Sequence, residues 1–434
     1  MFLDLYLKAI KNPIKHPITG SKTLIIFIYN KKYILTKIKV FLICKLNMDN
    51  NFKIVAKTFY GMEQVLADEL LELGAQNIKV GNRIVSFIGD KGFIYKANLC
   101  LHTALRILKP IHEFEANSNE ELYNELYKYD WSQYMNESST FVFDSVLSGK
   151  IFTHSLFVSQ KSKDALVDKF RDENKERPNV DLKHPDFRFH LHISNNICNL
   201  LLDSSGESLN KRGYRVSTNI APINEVLAAG LIKLSGWDKN TDFVDPMCGS
   251  GTFLIEAAMM ASNIPSNINR DEFAFEKWPD WDLELFELIQ NSQLKKVTEP
   301  SIRIFGFDIS SSSVEKAKQN INQASLSEFV KVEKKSFFET TKSSEDKLHL
   351  VTNPPYGERI KGDIEQLYKN IGDTLKKHYS NTNAWLISSN LEAIKYVGLR
   401  PSRKIKLFNG KLESRLLYFP IYAGTKRIHK LNKL

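Results

Sequence analysis

FVDPMCGSGTFLIEAA, Phe243 to Ala258, decides the fold of this 434-residue chain. An apolar run ends at Asp245, a loop carries Gly249 and Gly251, and an apolar helix begins near Thr252. Glycines permit the tight turn and let the backbone approach a ligand closely. Amides at the start of the helix then face that ligand. A tight strand-to-helix turn by itself needs no ligand, but two details point further. The pattern is not G-x-G-x-x-G, and Asp245 stands where a dinucleotide pyrophosphate needs a helix dipole rather than a carboxylate. A carboxylate there suits a cationic ligand, such as the ammonium or sulfonium of S-adenosylmethionine (SAM).

Outward from this loop the chain alternates strand and helix. The strands are DFVDP, IRIFGFDI, FVKVEK, LHLVTN and NAWLISS, and RKIKLFNGKLESRLLYFP closes as a hairpin on Asn409-Gly410. That alternation predicts a doubly wound parallel α/β sheet, and the Asn-Gly pair is a two-residue turn signal. FGFDIS places Asp308 at the end of the second of these strands, where an acid can accept both hydroxyls of a ribose. The usual interval is about 20 residues; here Asp308 lies 57 residues after Gly251. The surplus is an irregular, partly helical excursion over 262–300 with Trp278, Pro279 and Trp281. An acid that merely caps the next helix is the alternative for Asp308.

The fourth strand leaves through LHLVTNPPYGERI, Leu348 to Ile360. Asn353 Oδ1 and the Pro354 carbonyl can accept hydrogen bonds from both N–H groups of an exocyclic amine on a nucleobase. That would aim the nitrogen lone pair at a sulfonium methyl. Pro354 and Pro355 stiffen the backbone so that the acceptors are preorganised, and Tyr356 can stack on an unstacked base. The proton can leave after transfer, so no general base is required.

Composition agrees with a multidomain soluble protein: 42% hydrophobic, 25% charged. Cys44, Cys100, Cys198 and Cys248 form no CxxC or Cys/His cluster. We therefore expect no metal site, no disulfide framework and a cytoplasmic setting. The net charge of +10 is misleading, because residues 1–47 hold nine lysines against one acid and account for +8 of it. That stretch is apolar but broken by Lys31, Lys32, Lys37 and Lys39. A lysine near a bilayer centre costs about 2.5–3.5 kcal/mol, so no membrane span is expected there. We take 1–47 as a basic extension outside the fold.

From Phe52, FKIVAKT, GMEQVLADELLELGA, IKV, RIVSFIG and a helix over Lys91 to Leu101 make a small α+β unit. TFVFDSVLS, SKDALVDKFRDE and FRFHLHISNNICNLLLDSS make a second one. GESLNKRGYRVSTNIAPIN is the polar connection that follows, which divides the chain into 48–205, a linker at 206–222, and 223–434.

DPMCGSGT and NPPYGER resemble the class I SAM-dependent guanine-N2 methyltransferases of RNA. KDALVDKFRDENKERPNVD, DSSGESLNKRGYR and APINEVLAAGLIKLSGW look like their THUMP-containing branch. Over roughly 48–420 the chain is similar to the N-terminal half of the bifunctional bacterial large-subunit (23S) rRNA methyltransferases. The resemblance implies a ferredoxin-like plus THUMP module for RNA, followed by a Rossmann-like, seven-stranded catalytic domain. It assigns Asp245, Gly249, Gly251 and Thr252 to SAM, Asp308 to its ribose, and Asn353, Pro354, Pro355 and Tyr356 to catalysis. Such enzymes usually carry an aspartate after the third strand, against the adenine amine. Here VEKKSFFET has Ser336, so either Ser336 or a neighbouring backbone group serves, or adenine is held differently.

Lys211, Arg212, Tyr214 and Arg215 concentrate three cations and an aromatic at the module junction, and are the expected RNA contacts. A looser set, Lys161, Lys163, Lys169, Arg171, Lys175 and Arg177, is laced with acids and reads equally as a solvated helix face. The expected partner is RNA, rRNA first and tRNA as the alternative. An adenine-N6 methyltransferase and an RNA-binding scaffold without turnover are the rival readings.

Overall fold

Alternation in FKIVAK makes β1 (Phe52–Lys57), and the helical spacing after it makes α1 (Glu63–Leu73). β2 (Gln76–Val80), β3 (Ile84–Gly89) and α2 (Lys91–Cys100) follow, the last capped by Asp90, which accepts from Phe93 N at 2.7 Å. β4 (Arg106–Glu115) is a strand that the sequence hides. Pro110 at its centre has no N–H for a ladder, and the pairing with the neighbouring strand shifts register between Pro110 and His112. α3 (Asn119–Lys128), β5 (Thr140–Ser148), α4 (Ser155–Asn174), β6 (Asn179–Val180), β7 (Phe187–Ser194) and β8 (Ile197–Asp203) complete this half. The two α+β units expected from the sequence share one eight-stranded sheet, in the order β2-β3-β1-β4-β8-β7-β5-β6. β4 makes the join, antiparallel to both β1 and β8.

These positions come from a computed structural model that describes residues 51–217, 222–355, 363–410 and 412–424. The basic extension 1–47 and Tyr356 lie outside the described residues. No described helix is long and apolar enough to cross a membrane. Among the described residues no cluster of three or more His, Cys, Asp or Glu could hold a metal.

The second half opens with α5 (Glu225–Leu234), whose N-cap Asn224 accepts from Val226 N and Leu227 N. β9 (Asp242–Asp245), α6 (Thr252–Ala261), α7 (Leu283–Leu294), β10 (Ile304–Asp308) and α8 (Ser311–Gln323) come next. Then come β11 (Val330–Lys334), β12 (Leu348–Thr352), α9 (Ile364–His378), β13 (Thr382–Ser388), β14 (Arg403–Asn409) and β15 (Leu412–Ile421). The sheet order is β11-β10-β9-β12-β13-β15-β14. The first five are parallel, and β15 runs antiparallel to β13 and β14. The closing turn sits one residue later than the Asn-Gly signal suggests, because Asn409 still pairs with Leu412.

α6 is apolar apart from Thr252 and Glu256 and is buried along almost its whole length, as a helix with no solvent side must be. The excursion at 262–300 follows α6, and its aromatics pack elsewhere. Phe273, Phe275 and Trp278 leave the second half and join the aromatic core of the first. Tyr95 lies 4.5 Å from the Phe275 ring and 5.1 Å from Trp281. What looks like an irregular insertion is a packing surface between the two halves.

Candidate active site

Chain order places β10 and β12 on opposite sides of β9, so strand connections diverge there and leave a crevice at the carboxyl ends. Asp308 ends β10, Asp245 ends β9, and Asn353 follows β12. The glycine loop spans this crevice. Gly251 has φ 85°, and a Cβ there would lie 3.2 Å from Ala317 Cβ, so both its conformation and its close approach need glycine. Cys248 N donates to Phe307 O at 2.9 Å, which ties the loop to β10.

Asp308 is fixed in place by two amides. Gly249 N donates to Oδ2 and Ser310 N to Oδ1, both at 2.9 Å. The cap of α8 is Ser310, whose hydroxyl accepts from Ser313 N, so Asp308 does not serve as the helix cap. Ile309, next in the chain, is 72% exposed and offers an aliphatic face beside the acid. Sequence reasoning passed over it, although its position directly after a strand-end acid was a signal.

Asp245 is 2% exposed. Burial pushes its carboxyl up to about 7, against the opposing pull of the Thr352 hydroxyl and the Met247 amide, with the Asp308 charge adding to the rise. Thr352 Oγ1 donates to Asp245 Oδ1 at 2.8 Å and joins the β12 corner to the loop strand. The residue before Asn353 was missed as a site member. Among the described residues no cation pairs with Asp245, so the buried carboxylate suits a positively charged ligand.

Among the described residues Asn353 Oδ1 is enclosed without a hydrogen-bond partner. Such an orphan acceptor costs about 1–3 kcal/mol, and a substrate N–H is the group that would recover it. Pro354 is buried and Pro355 partly so. Ser336 is half-buried and opens a short 3₁₀ turn, with its carbonyl accepting from Glu339 N at 3.0 Å. Thr252 is buried, and its hydroxyl accepts from Arg215 Nη2 at 2.9 Å. Its side chain is therefore tied to the linker through one acceptor site.

The RNA residues need correction. Arg212 is fully buried and Tyr214 is 1% exposed. Both face Glu256 of α6: Arg212 Nε donates to Oε1 at 3.3 Å and the Tyr214 hydroxyl to the same oxygen at 3.0 Å. Neither can meet RNA. Arg215 is partly buried against Glu225, Ser250 and Thr252, so it too is engaged inside the protein. Lys211 alone of the four is exposed. In the looser set, Lys163 pairs with Asp164, Lys169 with Glu173 and Arg171 with Asp168, the pattern of a solvated helix face.

Residues 53–108 match the RlmL ferredoxin-like domain, 116–203 the THUMP domain and 212–417 the RMKL-like methyltransferase domain. The Synechocystis sp. protein slr0064, named as an RNA methyltransferase, is 35% identical over 83% of this chain and 95% of its own length. The chain belongs to this THUMP-containing, RMKL-like methyltransferase family. The ribosomal RNA large subunit methyltransferase K/L of Desulfotalea psychrophila is 35% identical over 85% of this chain, which spans about half of that protein, 52%. SMU.472, described as a methyltransferase and crystallised with SAH, superposes with a TM-score of 0.75. It is 31% identical, over 87% of this chain and 100% of SMU.472. The RMKL-like chain is thus a SAM-dependent methyltransferase with a Rossmann-like catalytic domain and an RNA-binding THUMP domain.

Proposed function

We propose that this methyltransferase transfers a methyl group from SAM to the exocyclic N2 of a guanine in large-subunit rRNA. Residues 48–205 act as the RNA module, 206–222 as the linker and 223–434 as the catalytic domain. The orphaned acceptor at Asn353 carries the reading, because it lacks the N–H that a base amine would bring. The names of the K/L relatives favour rRNA. A cytoplasmic setting goes with that substrate.

When bound, SAM supplies an electrophilic methyl on a positively charged sulfur. The chain does the rest by position. Asp245 would offer the buried negative charge, Asp308 the ribose acceptor, and Gly249 and Gly251 the close backbone, with Ile309 and Ser336 the residues available to hold adenine. Asn353 Oδ1 and the Pro354 carbonyl take the two N–H groups of the amine, drawing the nitrogen toward tetrahedral geometry. Tyr356 is the residue that the family resemblance assigns to stacking on the base. The surplus proton leaves after transfer.

RNA reaches the site along the junction. Lys183 and Lys211 line an open cleft of about 560 Å³, which Glu207, Asp271 and Glu272 also line. Arg106, Arg188 and Lys277 in the same cleft are paired with Asp203, Asp144 and Asp186. Phosphate contacts there would position the strand without reading its sequence. Replacing Lys183 and Lys211 together by glutamate should weaken RNA binding, flatten its dependence on salt and leave SAM binding unchanged. Filter binding over a salt series measures this.

Asp308→Ala should raise the Kd for SAM by about tenfold or more, since hydrogen bonds to a charged group are worth about 1.5–3 kcal/mol. Titration calorimetry reads this directly. Asp245 gives a pH signature. A cationic ligand selects its charged form, so affinity should fall as pH drops below about 7, by about tenfold between pH 8 and pH 6. Asp245→Asn should remove that slope.

The reading as a whole is tested by offering the purified protein labelled SAM with large-subunit rRNA, tRNA or DNA. Label in N2-methylguanosine of the rRNA supports it. Label in N6-methyladenosine, or in tRNA alone, replaces it.

A further inference from the structure

The linker reads as a passive polar connection, yet it forms one wall of the cofactor loop. Arg215 is only 17% exposed at its side chain and reaches four residues of the catalytic domain, among them Ile223, whose carbonyl accepts from Nη2 at 3.3 Å. Its Nη1 donates to Ser250 Oγ at 3.2 Å, and its Nη2 to Thr252 Oγ1 at 2.9 Å. Its Nε is fixed on Glu225 at the start of α5. Ser250 and Thr252 flank Gly251, the residue whose positive φ turns the loop into α6. A second tie runs alongside. Asn320 of α8 accepts from Val216 N and Ser217 N at 3.0 Å, and donates to Ser217 O at 2.8 Å and Ser250 O at 3.0 Å.

Geometry of this kind does more than fill space. The guanidinium is planar and carries its donors in a fixed fork, so it sets the spacing of two hydroxyls across the glycine turn. Between those hydroxyls the Gly251 amide donates to Cys248 O at 2.8 Å, so the arginine braces the tight turn on which the loop's shape depends. The same linker is locked three residues earlier, where Arg212 is buried on Glu256. Loop shape is thereby tied to the segment that joins the RNA module to the catalytic domain.

We propose that Arg215 is a positioning residue for the cofactor loop: the linker sets SAM affinity by holding Ser250 and Thr252 across Gly251. The proposal rests on the reading that this loop holds SAM. The test is titration calorimetry with SAH on the full chain, with melting temperature measured in parallel. Arg215→Ala should raise the Kd about tenfold, Arg215→Lys should recover part of it, and kcat at saturating SAM should change little. Ser250→Ala with Thr252→Val removes the acceptors and keeps the arginine. It should give the same Kd, and adding Arg215→Ala to it should cost little more. That pair carries the test if Arg215→Ala fails to fold.

A purely structural arginine would lower the melting temperature or the fraction of active sites while the Kd of the folded fraction stayed at the wild-type value. That result overturns the proposal. Asp308→Ala separates the two levels. If it weakens SAH binding while the Arg215 and Ser250/Thr252 variants do not, only the positioning role falls. If Asp308→Ala also binds SAH normally, the loop itself has been misassigned.

Discussion

Asn353→Ala should yield a folded protein that binds SAM at wild-type affinity and transfers methyl groups at least about a hundredfold more slowly, the scale on which loss of one preorganised hydrogen-bonding group (an oxyanion-hole donor) acts elsewhere. The effect is confined to the chemical step for a physical reason. Asn353 Oδ1 has no partner among the described residues, so removing it breaks no hydrogen bond among them and leaves none of their donors stranded. The contacts that hold the loop run through Asp245, Thr352 and Asp308 instead. Single-turnover methylation at saturating SAM, beside SAH calorimetry, separates the two quantities. A variant that lost SAM affinity would make Asn353 part of the cofactor pocket.

Arg212→Ala should destabilise the fold by about 3–5 kcal/mol, the usual cost of stripping one partner from a buried ion pair. Glu256 is fully buried. Burial by itself would raise its carboxyl, yet Arg212, with His102 and Tyr214, holds it below the ordinary range. A depressed folded pKa means that this stability is present above the unfolded value, about 4.3, and is lost as acid protonates the glutamate. Arg212 also donates to the carbonyls of Leu209 at 3.0 Å and His102 at 2.6 Å, so the truncation leaves those acceptors short as well. Adding Glu256→Gln should recover part of the loss, since no bare charge then remains. Denaturant melts of the single and double variants measure it. A stable Arg212→Ala protein with weakened RNA binding alone would restore the surface role that the sequence suggested.

Strand-end motifs were legible because their geometry is local. Asp245, the glycines and Asp308 each sit where a strand meets the next element, and the parallel sheet brings such ends together. Asn353 was legible for the same reason. The buried basic cluster was not, because LNKRGYR has the composition of a surface patch and its counter-charge lies 44 residues beyond Arg212. No spacing rule links them; only the docking of the linker onto α6 does. β4 was obscured by Pro110, which normally excludes a central strand and here is absorbed by a register shift. The excursion at 262–300 gave no hint that its aromatics complete the core of the other half.

The most direct measurement is nucleoside mass spectrometry of large-subunit rRNA from cells lacking this gene, with and without a restored copy. Loss of one N2-methylguanosine, regained with the wild-type copy and not with Asn353→Ala, is the result this account predicts. An unchanged N2-methylguanosine profile, or a loss confined to N6-methyladenosine, would contradict it.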